Sequence, residues 1–171
     1  MPESNTLTSN SPHSFQGAIE INQAADFEID EPLICSIISR ILGDAGFRRG
    51  SVSIAIVDDP TIHELNRQYL QHDYATDVLS FVLDRDDTRD WLEGEVIASF
   101  ETARQMAADY DWAPASELLL YLIHGTLHLT GLEDAGDEQR QQMREAESRY
   151  LSLAGLEQPP EEPGEEPTTV A

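Results

Sequence analysis

The sequence predicts an α+β fold: one domain in which a small mixed four-stranded sheet packs with about five helices. Three observations lead there. Four short segments alternate apolar and polar residues with the period of a strand, and five longer ones carry helical spacing and helix-end signals. The two kinds interleave without the regular strand–helix–strand rhythm of a parallel α/β fold. Length agrees, since 171 residues suffice for one domain with a sizeable core and are too few for two comfortable ones.

The first strand is "AIEINQ", Ala18–Gln23, which alternates cleanly. "DEPLICSIISRILGDAG" follows as a helix, with Asp30 as N-cap, Pro32 in the first turn and glycines at the close. Cys35, the sole cysteine, lies in its apolar run and reads as a small core hydrophobe; with one cysteine there is no internal disulfide. Ser51–Val57, "SVSIAIV", is a second strand rich in β-branched residues. "DDPTIHELNRQYL" is a second capped helix, in which Ile62, Leu65, Tyr69 and Leu70 fall near helical spacing.

Two further strands, "DVLSFVL" (Asp77–Leu83) and "GEVIASF" (Gly94–Phe100), flank the polar excursion "DRDDTRDWLE". Thr76 and Asp77 set the turn before the first of these through side-chain hydrogen bonds to backbone. Ser80 shares a face with Val78 and Val82, either lining a cleft or bonding to backbone. A third helix runs to Tyr110 from near Ser99, and a fourth, opened by Asp111–Ser116 with Pro114, runs to Leu129 or Thr130. Gly131 terminates it in left-handed conformation. The fifth helix covers about Asp137 to Ala154, with Arg140, Arg144 and Arg149 placed to pair at i,i+4 with glutamates such as Glu145.

Residues 1–16 are Ser/Asn/Thr-rich and 157–171 Pro/Glu-rich, so both read as disordered tails around a domain at 17–156. Net charge is −23, with ten arginines and no lysine. Such acidity excludes nonspecific nucleic-acid binding through a broad basic face; any RNA contact must rest on a metal ion and a few arginines. Neither a secretory signal nor a membrane span is legible, which points to a cytoplasmic protein without membrane contact.

The chemistry concentrates in "HGTLHLTGLED", beginning at His124. Its helix, "LLLYLIHGTLHL", is apolar almost all round and therefore buried. His124 and His128 project from one face a turn apart. H-x-x-x-H alone fits two satisfied core histidines as well as it fits two metal ligands. Gly131 changes the balance, because a chain that doubles back there brings Asp134 toward both imidazoles. Two histidines and a carboxylate make an established zinc set with a fourth position free for water. Glu133 is placed to accept an imidazole N–H or to carry protons. Zinc peptidase helices carry glutamate after the first histidine, and Gly125 stands there instead. His63 and His72 read as surface residues.

"HGTLHLTGLED" resembles the H-G-x-L-H-L-x-G-[YF]-D-H signature of the YbeY family, bacterial metal-dependent endoribonucleases of ribosomal RNA maturation. "LNRQYLQHDYATDVLSF" (Leu65–Phe81) and "GEVIASFETARQMA" (Gly94–Ala107) are similar to two other blocks of that family, in matching order. The resemblance implies a single α+β domain and a zinc-dependent, single-strand-specific endoribonuclease acting in 16S rRNA 3′-end processing. It implies one zinc ion per chain on His124, His128 and Asp134, with RNA, small-subunit ribosomal proteins and a ribosome-associated GTPase as partners. Three departures stand out. Glu133 and Asp134 replace the signature's final aspartate and histidine, Glu95 replaces an aspartate, and Leu70 replaces an arginine held to meet phosphate. Arg67, one turn back, is the candidate substitute, and Glu133 the candidate proton carrier. Loss of that arginine also admits a ribosome-assembly binding factor that keeps a structural metal, and a metallohydrolase with another substrate remains open.

Overall fold

A computed structural model describes residues 14–24, 26–73 and 76–159. Four strands, β1 (Ala18–Gln23), β2 (Arg49–Val57), β3 (Val78–Asp86) and β4 (Trp91–Ser99), form one sheet in the order β1-β2-β4-β3. β1 and β4 flank β2 in parallel, and β3 runs antiparallel to β4, so the sheet is mixed as expected. Five α-helices accompany it: α1 (Glu31–Asp44), α2 (Asp59–Leu70), α3 (Phe100–Tyr110), α4 (Pro114–Leu129) and α5 (Asp137–Leu153).

Alternation along the strands sorts the side chains into two layers. Val52, Ile54 and Ile56 of β2, with Val96 and Ala98 of β4, join the larger core against α1, α4 and α5. Val57, Leu79 and Ile97 face the other way and pack with Ile62 of α2. Caps fix the helix starts: Asp30 accepts from Leu33 N–H at 3.0 Å, Asp58 from Thr61 N–H at 2.9 Å, and Ser99 from Thr102 N–H at 3.2 Å. α4 lacks a side-chain cap and begins on Pro114, whose missing N–H needs no partner there.

Several expectations are corrected. The excursion between the last two strands is not a loop: β3 extends to Asp86 and β4 starts at Trp91, joined through a 3-10 turn at Asp87–Arg89. A bulge between Val82 and Asp84 leaves Val82 and Leu83 exposed on this edge strand, where backbone pairing needs no apolar alternation. Phe15, placed in the disordered tail, is buried in the main core, and Gln16 N–H donates to Arg48 C=O at 2.8 Å. One phenylalanine among polar residues carries no period to reveal it. The rest of that tail, residues 1–13, and residues 160–171 of the C-terminal one lie outside the described residues. Gln158 and Pro159 are placed against α5, where Arg144 Nη2 donates to Pro159 C=O at 2.6 Å. Arg140 pairs with Asp137, and Arg149 crosses to Asp44 at 3.2 Å, whereas Glu145 accepts from Gln141. Cys35, within α1, is half-buried, and burial, then the Glu31 charge, pushes its thiol up.

Candidate metal centre

Glu117, Tyr121, His124 and His128 follow one another along one face of α4, and His124 and His128 close it at its C-terminal end. What holds that helix in place is Gly125. An added Cβ there would meet Val96 Cγ1 at 2.6 Å and both Val78 Cγ2 and Ser80 Oγ at 3.0 Å, so α4 lies directly on the sheet. Ser80 Oγ donates to Gly125 C=O at 2.9 Å, which decides its role in favour of the backbone bond. A glutamate cannot occupy that position without lifting the helix, so no peptidase-type base stands after His124.

The helix ends as the glycine requires. Gly131 adopts φ +106°, its N–H donates to His128 C=O at 3.0 Å, and Leu132 N–H reaches back to Leu127 C=O at 3.1 Å. Arg85 of β3 adds a bond from Nη1 to Thr130 C=O at 3.2 Å. The returning chain brings Asp134 Oδ2 to 3.4 Å from His124 Nε2 and 3.5 Å from His128 Nε2, while the two Nε2 atoms stand 3.0 Å apart. Side-chain exposures of 25%, 24% and 41% leave the cluster open on one side.

The donors fit a metal. Zinc bound at about 2.0–2.2 Å in tetrahedral geometry sets its donors roughly 3.3–3.6 Å apart; the two separations to Asp134 fall inside that span and the 3.0 Å between the imidazole nitrogens lies below it. Among the described residues this is the group of histidine, cysteine and carboxylate side chains that can hold an ion.

A residue that sequence reasoning missed completes the site. Glu147 of α5 is buried, and its Oε1 accepts from His124 Nδ1 at 2.7 Å. With the ring proton held on Nδ1, the Nε2 lone pair is left facing the cluster. Burial alone would lower the His124 pKa; the Glu147 hydrogen bond, followed by the charges of Glu147, Asp77 and Asp134, outweighs it and holds the imidazole above its ordinary value. Glu133, expected either as an imidazole N–H acceptor or as a proton carrier, is exposed, and the His124 Nδ1 bond goes to Glu147 instead.

Of the two residues expected to set the turn through backbone bonds, Asp77 does so, its Oδ1 accepting from Val78 N–H at 2.8 Å, whereas Thr76 Oγ1 donates to that same carboxylate at 3.3 Å. Arg67 sits exposed on α2, its Nη2 bonded to Glu64 Oε1 at 2.6 Å. Leu70 is 43% exposed on the same helix. His63 is a surface residue bonded to Asp73 at 2.8 Å, and His72 is likewise exposed.

The family model described as endoribonuclease YbeY matches residues 19–155. The chain belongs to the YbeY family. An endoribonuclease YbeY of Rhodopirellula baltica is 48% identical over 116 residues, covering 67% of this chain and 59% of that relative's length. One from Carboxydothermus hydrogenoformans is 42% identical over 133 residues, 76% of this chain and 92% of the relative. The solution structure of a Thermotoga maritima protein superposes with a TM-score of 0.55 at 24% identity, covering 80% of this chain and 91% of that one, and shows the same fold. Within this YbeY-family chain, the group that could hold a metal ion is completed by the carboxylate of Asp134.

Proposed function

We propose that this member of the YbeY endoribonuclease family is a zinc-dependent enzyme that cleaves single-stranded RNA during rRNA maturation, in 16S rRNA 3′-end processing. The reading rests on the Asp134 carboxylate, which stands within 3.5 Å of both facing imidazole nitrogens. Three protein donors with an open side are the pattern of a catalytic rather than a closed structural zinc site. When bound, the ion supplies Lewis acidity, activating water near neutral pH and offsetting charge on a phosphoryl oxygen.

The chain's own groups do the rest. Glu147 keeps the His124 proton on Nδ1, so that Nε2 stays free to ligate. Glu133, exposed beside the third donor, exchanges protons with bulk water. Arg67 meets phosphate after leaving Glu64, and an exposed ion pair of this kind costs little to open. Asp134 brings a negative charge where a third imidazole would be neutral, which makes the bound ion a weaker Lewis acid. An acidic surface suits basic small-subunit ribosomal proteins, and a ribosome-associated GTPase and the cytoplasm follow from the same family reading.

The test incubates wild type and Asp134→Ala with equimolar zinc and single-stranded RNA. Cleavage by the wild type alone is expected. Cleavage by both would show that this cluster does not carry the reaction. Zinc binding without cleavage by the wild type would favour the ribosome-assembly factor with a structural metal, a reading to which Leu70 and the Arg67–Glu64 pair lend weight.

A further inference from the structure

α5 ends in a turn that sends the chain back along its own helix. Gly155 has φ +76° and donates to Ser152 C=O at 3.0 Å, and Leu156 N–H donates to Leu151 C=O at 3.0 Å. Leu156 then packs against the main core, which anchors the reversed segment. Two residues on, Gln158 lands on Glu147. Its Nε2 donates to Glu147 Oε2 at 2.7 Å, while its Oε1 accepts from Ser148 Oγ at 2.8 Å. Pro159 is held by Arg144 at 2.6 Å.

The two oxygens of one buried carboxylate are therefore divided between two partners. Oε1 takes the His124 ring proton and Oε2 takes the Gln158 amide. A buried carboxylate with one oxygen lacking a donor is costly and free to rotate about its last torsion. The amide of Gln158 removes that freedom, and Ser148 in turn fixes which end of the amide faces Glu147.

We propose that the C-terminal strap of residues 156–159 is a positioning device for the metal centre, with Gln158 acting through Glu147 to hold the His124 ring in ligating orientation. It rests on the metal site proposed above. Gln158 is a positioning residue: its hydrogen bonds go to Glu147 and Ser148, and none goes to a donor of the metal cluster. Loss of a group that orients a metal ligand costs about 10–100-fold in metal affinity. Gln158 stands one bond further out, so a loss of about 3–10-fold is expected for Gln158→Ala.

Zinc affinity is measured by competition with a chromophoric chelator at pH near neutral, on full-length wild type, Gln158→Ala, Glu147→Ala and the double variant, with thermal unfolding of each metal-free protein alongside. The expected result is weaker binding by Gln158→Ala with its metal-free midpoint close to wild type, and no further loss when the same change is made in the Glu147→Ala background. Ser148→Ala should shift affinity in the same direction by less. Unchanged affinity in Gln158→Ala would overturn the proposal, as would an equal loss with and without Glu147. A wild type that binds no zinc would instead overturn the metal site itself.

Discussion

Glu147 occupies a position that the periodicity of α5 assigns to an apolar residue, between Met143 and the Tyr150–Leu151 pair on the buried stripe. A carboxylate there needs a partner that stabilises its charge, and the partner is 23 positions away on another helix. This explains what was legible at the site and what was not. His124, His128 and Asp134 lie within one helix end and one turn, so local geometry joins them. Glu147 gave a signal, a charge on an apolar stripe, without naming its partner. Replacing Glu147 with alanine should weaken zinc binding about 10–100-fold, read by chelator competition; an unchanged affinity would show that the His124 ring is oriented otherwise. Glu117, also buried, accepts from Trp112 Nε1 at 2.8 Å, and desolvation raises its pKa against that bond. Because the folded state holds this proton more tightly than the unfolded one, stability falls as pH rises from the ordinary carboxylate range toward the raised value. Glu117→Gln removes that slope. In urea titrations at pH 4 and pH 8, the midpoint of the variant relative to wild type should rise with pH, and a constant difference would contradict the raised pKa.

α4 shows how an element can be predicted correctly while its placement stays hidden. Its ends and its histidines follow from period and from Gly131, but in sequence Gly125 reads only as the absence of a peptidase glutamate, with nothing to say why a glycine stands there. The sheet beneath it gives the reason: a Cβ at Gly125 would press to 2.6 Å on Val96. Alanine there gains about 1 kcal/mol of helix propensity and meets an overpacking cost of about 1–3 kcal/mol. Gly125→Ala should therefore destabilise by up to about 2 kcal/mol in urea unfolding, and it should weaken zinc binding too, since α4 carries both imidazoles. A stabilised variant would show that the contact between helix and sheet has room for a methyl group. The β3–β4 hairpin was half-legible for the opposite reason. Its tip pairs through backbone along an exposed edge, and residues such as Asp84 and Asp86 there carry no hydrophobic pattern.

For the whole molecule, period and caps identify strands and helices but not which strands are neighbours; the order β1-β2-β4-β3 is set by tertiary packing. Charge, by contrast, is legible from the start and decides how RNA can be met. Arg40, Arg48, Arg67, Arg85, Arg140 and Arg149 are each paired to a carboxylate of the same chain. Against a net charge of −23 no broad cationic face remains among the described residues for a phosphate backbone. Each phosphate neutralised by a protein cation contributes about −0.7 to the slope of log K against log salt on single-stranded RNA. With two or three such contacts the slope should lie near −1.4 to −2.1; on the proposal that the cluster holds zinc, the ion is the principal positive charge presented to the strand, and chelating it should remove most of the affinity. Fluorescence anisotropy of a labelled single-stranded RNA, titrated across salt with and without chelator, measures both quantities. A slope steeper than about −4, or binding indifferent to chelation, would mean that RNA is held by a basic surface this fold does not present.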